Sequence, residues 1–592
     1  MVWPFSTPYP TFGIPFLKPE YDYIIVGGGT GGCVLANRLS RDHGVSVLLV
    51  ERGDAADGFS HRNPLMSQYW ASDGRHGMEV ESLPNAHLGD RKVTKLTTGL
   101  GLGGTSRINS MVYTRGSPGE YNLWAQEGRH GWSFRDVEPF FLKSQHWLGD
   151  ISHDHQGTHG EWQVRRHEKI YFKPSAYAAK AATDLGFAYV DDINSPSEPS
   201  VGSFKTHYTL DSSGHRHSTF RAFLPMDLAL DRKERLHICV KSLASKLLLT
   251  ERADHDLLCT GVRVQSVTNV SVWCDIRAKR EVILAAGALR TPQILMLSGI
   301  GPENHLNKMG IPVKKKLEGV GQNLLDHFGV HTDYSCQMEH SLLSMIKRPT
   351  MLLQQIYEYW KKSDGWFIAP LVEVVLFANS SLVTADGTLP RLSAAQLDSH
   401  DPTNLPDFEI MTSTIADPRF PGFDPSMGTM SLLFALLRPK SVGSIELRSL
   451  DPLDDPICDP RYLSNEDDFK VFRAALRVGM RMADGMRAQG YPLVDVNVPK
   501  SEDDADLDAH IKRWSDTFFH YTSTCRMAPE SDGIPGVVDD ELRVHGVANL
   551  RIADASVFPR IPSAHPQAPV VMVAERCADF LHKKAQNAQY PI

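Results

Sequence analysis

Gly27, Gly29 and Gly32 stand in the run Tyr23-Ile24-Ile25-Val26-Gly27-Gly28-Gly29-Thr30-Gly31-Gly32, and Glu51 follows roughly 20 residues on. The chemistry this pattern serves is the holding of a dinucleotide. The first glycine permits a tight turn, the second lets backbone approach a pyrophosphate, and the third allows close helix–strand packing. Thr30 and Gly31 open the helix that follows, whose N–H groups and dipole favour a phosphate. Glu51 is placed to accept hydrogen bonds from a ribose. The flanking elements suit these roles. Tyr23 to Val26 reads as a strand, Val34, Leu35 and Leu39 give the next segment helical character, and Val45 to Val50 is a second strand ending at Glu51. The result is a β–α–β unit for FAD or NAD, the motif serving both.

A chain of 592 residues exceeds what one core organises, so two or more domains are expected. With 42% hydrophobic and 22% charged residues it has the composition of a soluble globular enzyme. A net charge of −8 without a basic tract speaks against a nucleic-acid partner. No apolar run is long enough for a transmembrane segment. Met1-Val2-Trp3-Pro4-Phe5 lacks the features of a signal peptide, so an intracellular, cytoplasmic location is expected. The eight cysteines have no CxxC or finger spacing and read as buried free thiols, with no metal site. Asn269 and Asn379 fit the glycosylation sequon.

Further along, residues 84–120 are glycine-rich around Gly99 to Ser106, Asp191 to Ser200 reads as a surface loop, and Arg280 to Gly287 is a short apolar strand ending in small residues. An aromatic block runs from Met351 to Phe377. Ser464 to Met480 is predicted to be a helix, capped by Ser464, with Phe469, Phe472, Leu476 and Met480 on one face. Glu502 to Asp508 is an acidic loop or helix start. Asn549 to Asp554 is a strand ending in an acid, and a helical run extends from Val570 to Leu581.

Four segments carry a family resemblance. Gly287-Ala288-Leu289-Arg290-Thr291-Pro292-Gln293-Ile294-Leu295-Met296-Leu297-Ser298-Gly299-Ile300-Gly301 resembles the second signature of the glucose–methanol–choline (GMC) oxidoreductases at every position. Gly99 to Asn122 resembles the first signature, with Leu100 where a polar or basic residue is usual. Val320 to His327 and His520 to Leu581 resemble further family segments. The pattern is most similar to the alcohol oxidase and dehydrogenase members. The resemblance implies FAD rather than NAD. It implies an α/β FAD-binding domain of Rossmann-like βαβ type plus an α+β substrate domain with an antiparallel sheet. The expected FAD domain is discontinuous, 20–165, 220–330 and 520–592; the substrate domain takes 166–219 and 331–519, and 1–19 is an N-terminal extension. Gly103, Thr105, Asn109, Val240, Asp554 and Pro566 are implied cofactor contacts, with Asn109 bonding the flavin. Glycines at 99, 101, 103 and 104 would let backbone pass close to a flat ring. Some members bear a flavin-linked histidine where this chain has Ile108, so noncovalent FAD is expected.

His520 in Phe518-Phe519-His520-Tyr521-Thr522 and His565 in Ser563-Ala564-His565-Pro566-Gln567 read, taken alone, as ordinary core or surface histidines. The resemblance implies that both are catalytic, and that His327 and His545 are structural. Alcohol oxidation removes a hydroxyl proton and passes a hydride to flavin N5. The flavin cannot take the hydroxyl proton, so a base of near-neutral pKa is needed, which imidazole supplies. His520 is assigned as that base and His565 as the partner of the hydroxyl oxygen. The expected substrate is a small-molecule primary alcohol, apolar or aromatic, with O2 or another electron acceptor. Aromatics of the Met351–Phe377 block either line the site, as in relatives, or form the substrate-domain core. A lyase or a photodecarboxylase on the same fold is the alternative; a flavin that never bleaches with substrate, or light dependence, would reveal one.

Overall fold

The computed structural model describes residues 8–67, 76–89, 93–149, 155–252, 257–369, 371–415 and 422–589. Strand β1 (Glu20–Val26) is buried along nearly its whole length, and its neighbour β2 (Val47–Val50) is buried throughout. Such continuous apolar runs belong at the centre of a parallel sheet covered on both faces. Strand β1 pairs in parallel with β2 on one side and with β4 (Trp273–Leu284) on the other. Outside β2 lies β3 (Leu236–Cys239), also parallel. Strand β5 (Leu550–Ile552) adds in parallel to the end of β4, and Ser242–Glu251 and Leu257–Ser266 extend the sheet as an antiparallel pair. The carboxyl ends of β1 to β4 therefore share one edge, where ligands of open α/β sheets bind.

Helix α1 (Thr30–Leu39) joins β1 to β2 and buries every residue from Gly31 to Leu39. It is enclosed because the C-terminal helix α2 (Gln567–Gln589) covers it. Burial extends to Arg38, whose guanidinium meets Glu575 of α2 at 2.6 Å and Glu161 at 2.5 Å. A buried cation of this kind is tolerated only with paired, hydrogen-bonded partners.

A second sheet runs Val494–Asn497, Phe328–Cys336, Gly428–Leu436, Phe408–Ser413, Val374–Ala378, Gly202–Lys205, Tyr189–Val190, all neighbours antiparallel except the last pair. Helices Lys173–Asp184 and Glu466–Ala488 pack on it, the latter through Phe469, Phe472 and Leu476. The helix expected from Ser464 to Met480 thus exists, but its cap is Asn465, whose side chain accepts from the Asp467 N–H, and it continues to Ala488. The acidic run Glu502–Asp508 leads into helix Asp504–Trp514. All eight cysteines are free, and seven are buried. Within the aromatic block, Tyr359 and Trp366 are buried, whereas Tyr357 and Trp360 face solvent and form no core. Pro370 of that block lies outside the described residues.

Candidate active site

The glycine motif sits at the carboxyl end of β1. Gly27 has φ +103°, and a Cβ there would lie 2.4 Å from the Ala285 carbonyl oxygen. At Gly32 a Cβ would meet the Gly27 oxygen at 1.9 Å, and at Gly31 the Ala553 oxygen at 2.6 Å. These three glycines are required by the protein's own backbone. Gly29 differs: an added Cβ would find nothing closer than 3.8 Å. Its missing side chain leaves a cradle at the start of α1, where no side chain caps the helix. An uncapped N-terminus beside open space has the donors and the room for a pyrophosphate, so the residues fit a dinucleotide.

The second glycine segment closes on the first. Gly103 N–H donates to the Gly28 oxygen at 2.7 Å, the Thr30 hydroxyl reaches the Gly103 oxygen at 3.5 Å, and Thr105 Oγ1 accepts from the Gly99 N–H at 3.2 Å. Glu51 ties the two together. Its carboxylate accepts three backbone N–H groups, from Gly28 at 2.8 Å, Gly53 at 2.7 Å and Gly101 at 3.0 Å. Val240 follows β3 directly, beside Glu51, whose N–H bonds the Cys239 oxygen. Asp554 is buried after β5 and accepts from the Gly287 N–H, the Thr291 hydroxyl and the Ser556 N–H, at 2.9, 2.6 and 2.8 Å.

Two turns carry the histidines. The first is strained: Phe519 and Ser523 have φ of +62° and +71°, unusual values for residues with side chains. It is pinned by Asp326, a buried carboxyl that accepts the His520 N–H at 2.7 Å and the Thr517 and Tyr462 hydroxyls at 2.6 Å each. Burial pushes Asp326 up to about 7 despite those donors. The His520 ring lies with its Nδ1 2.9 Å from Nδ1 of His327. His327, for which a structural role is expected, thus touches the His520 ring. The His545 ring, by contrast, meets the Ala528 oxygen, 2.8 Å from its Nε2. Burial, then the neighbouring His565 and His327 rings, hold His520 well below the usual histidine range.

The second turn places His565 with its ring centroid 5.0 Å from that of His520, planes at 72°. Its backbone N–H donates to Thr114 Oγ1 at 2.8 Å, and Ser563 N–H donates to buried Glu120 at 3.0 Å. Pro566 follows, and its oxygen accepts the Val570 N–H in the first turn of α2. Gln567 then links this turn to the glycine segment, accepting from Asn109 Nδ2 at 2.9 Å and donating to the Val112 oxygen at 2.6 Å.

Two participants carry no sequence signature. Glu409, from strand Phe408–Ser413 and 1% exposed, lies 3.2 Å from His565 Nε2. Arg216, equally buried, donates to Asn109 Oδ1 at 2.7 Å, to the Asn109 oxygen, to the Ser106 oxygen at 3.0 Å and to Ser67 Oγ at 2.9 Å. All four acceptors are neutral, and burial with Arg107 nearby pulls its guanidinium down to about 9.

Family models described as GMC oxidoreductase match residues 21–329 and 439–574. The chain is a GMC oxidoreductase. This GMC oxidoreductase is 31% identical over 572 residues to an oxygen-dependent choline dehydrogenase of Brucella canis, covering 95% of each chain. It is 32% identical over 573 residues to the same enzyme of Yersinia pseudotuberculosis, covering 95% of this chain and 93% of that one. Among solved structures, formate oxidase superposes with a TM-score of 0.83 at 26% identity, covering 96% and 99% of the chains. A fungal aryl-alcohol oxidase superposes at 0.81 and 25% identity, covering 96% and 100%. As the family implies, the enzyme is an FAD-dependent alcohol oxidase or dehydrogenase, and the two sheets are those of an FAD-binding and a substrate domain. Among the described residues no helix is long and apolar enough to cross a membrane, and no cluster could hold a metal.

Proposed function

We propose that this GMC oxidoreductase converts a primary alcohol to its aldehyde, with His520 as the base that takes the hydroxyl proton. The observation that carries this is the crossed pair His520–His565, each ring backed by a polar group. His327 occupies Nδ1 of His520 and leaves Nε2 for the alcohol. Two Nδ1 atoms in contact need one proton between them. With that proton on His520, its Nε2 carries the free lone pair and serves as base.

His565 has the opposite polarity. A carboxylate only accepts, so Glu409 requires a proton on Nε2. To donate at Nδ1 to the alcohol oxygen as well, His565 carries both protons, and Glu409 balances that charge. One ring then removes the proton while the other holds the oxygen, which fixes the carbon–hydrogen bond for transfer. FAD, when bound, would supply the two-electron acceptor that the alcohol carbon's hydride needs. Gly27, Gly29, Thr30, Gly31, Gly32, Glu51, Gly103, Thr105, Asn109, Val240, Asp554 and Pro566 would hold it noncovalently, within a domain of 20–165, 220–330 and 520–592. Glu409 comes from the substrate domain, so the site closes across the two domains. An apolar or aromatic alcohol is supported by Phe518 and Phe519 beside His520 and by the aryl-alcohol oxidase likeness.

Anaerobic bleaching of the flavin with a panel of alcohols, followed by air, tests the proposal. Bleaching by an aromatic or aliphatic primary alcohol is expected, and recolouring in air would identify O2 as acceptor. A flavin that no alcohol bleaches, in protein that turns over a cyanohydrin or, in light, a fatty acid, would refute it.

A further inference from the structure

Helix Pro349–Lys362 is built inside out. Its inner side buries Tyr359 and Gln355, whose Oε1 accepts the Trp366 N–H at 2.7 Å. Its outer side displays Leu353 at 66% exposure and Trp360 at 71%, with Ile356 and Tyr357 between them. These four positions recur at i, i+3, i+4 and i+7, the spacing of one helical face, which in a globular protein ordinarily turns to the core. Ile346, just before the helix, is 77% exposed, and Phe59 widens the patch by stacking on Trp360 at 6.2 Å and 8°. Single exposed apolar side chains need no explanation, but a contiguous face does.

Charge indicates what covers it. Lys347 and Arg348 flank one end of the helix and Lys361 and Lys362 the other, all exposed; Arg348 faces Glu339 at 3.7 Å and Lys362 faces Glu358 at 3.0 Å, so the cations still outnumber these acids. This cationic collar stands on a chain whose net charge is −8. We propose that the helix lies in the surface of an anionic phospholipid bilayer, with the Leu353–Trp360 face at the acyl boundary and the four cations among the headgroups. Amphipathic helices that lie in the membrane plane combine such a face with such cations, and Trp and Tyr favour that depth. A second copy of the chain is the poorer occupant, because a symmetric contact brings each patch against itself and the cations together.

The face is close to the site. Tyr359 packs edge-on against Phe59 at 6.1 Å, and the segment Phe59–Arg62 receives the Arg216 N–H on its Arg62 oxygen. An apolar alcohol dissolved in a bilayer would meet the enzyme here. That consequence rests on the proposed alcohol oxidation; the bilayer contact does not.

The test is co-sedimentation of the FAD-loaded full chain with sucrose-filled vesicles of phosphatidylcholine, with and without phosphatidylserine, at low salt. The expected partition is at least about tenfold higher with phosphatidylserine, and salt should reverse it. Leu353→Glu with Trp360→Glu should abolish binding, and Lys361→Glu with Lys362→Glu should reduce it to the phosphatidylcholine value, with the flavin spectrum and unfolding temperature unchanged. In the parent protein, brominated lipid should quench a fluorescence component that Trp360→Phe lacks. No partition onto phosphatidylserine vesicles would overturn the proposal, as would partition unaffected by either double substitution. So would a concentration-dependent dimer, seen by ultracentrifugation, that the Leu353 and Trp360 substitutions dissolve in protein that binds no vesicle.

Discussion

Replacing Glu409 by glutamine keeps the shape of the side chain and removes its charge, 3.2 Å from His565 Nε2. Both groups are largely withdrawn from water, at 2% and 13% side-chain exposure, so solvent screens the pair little. A hydrogen bond to a charged group in such a place is worth about 1.5–3 kcal/mol. If the doubly protonated His565 draws on that energy mainly as negative charge develops on the alcohol oxygen in the transition state, Glu409→Gln should slow flavin reduction roughly 10- to 150-fold. The assay is anaerobic stopped-flow bleaching at saturating alcohol, which separates the reduction rate from the alcohol's dissociation constant. The rate should fall by more than that constant changes, because the interaction strengthens in the transition state. His565→Asn should cost about as much as His565→Asn with Glu409→Gln, since Glu409 acts through that ring. A Glu409→Gln enzyme that reduces its flavin at the parental rate, or a double variant losing the product of the two single effects, would refute the coupling.

The remaining expectations concern the base and the cofactor. His520→Ala should retain the flavin spectrum and lose at least about 100-fold in reduction rate; parental speed with a genuine substrate would dismiss it as base. Because His520 is held well below the usual histidine range, it stays unprotonated as pH falls. The reduction rate should then show no tenfold-per-unit decline between about pH 6.5 and 5, and a stopped-flow profile breaking near 6.5 would contradict this. Glu51→Ala removes the acceptor of three backbone N–H groups and should yield largely FAD-free protein, read from the ratio of visible to ultraviolet absorbance. Acid precipitation should leave intact FAD in the supernatant; yellow colour retained in the washed pellet would show a covalent link.

Local pattern made the glycine turn at the end of β1 legible. Gly27, Gly31 and Gly32 are fixed by backbone contacts within a few ångströms, so their identities leave a readable spacing. The two histidines proposed as catalytic stand out only through family likeness, since His520 sits in an aromatic run and His565 in a proline-rich turn, neither of which has a period. Glu409 and Arg216 left no trace. Each reaches the site across the fold from a segment whose sequence reads as plain strand or loop, and its role depends on which side chain lies opposite. The exchange of Ser464 for Asn465 as helix cap is a smaller matter of the same kind, because both residue types accept from the backbone and only the chain path selects one. For Tyr357 and Trp360, composition suggested burial, and tertiary placement decided otherwise.

The arrangement of Arg38 and Glu575 also bears on synthesis. The chain leaves the ribosome from its N-terminus, so β1, α1 and β2 emerge early, with Arg38 already committed to a position that becomes buried. Its partner Glu575, strand β5 on the edge of β4, and the turn bearing His565 all belong to the last part to appear. Until then the end of β4 is an open apolar edge and α1 lacks its cover. The glycine turns and α1 therefore lack these contacts until the segments from 550 to 575 have been made, and FAD capture is expected only after that point. Nascent chains stalled before residue 550 should capture no flavin, whereas the same chains released at full length should.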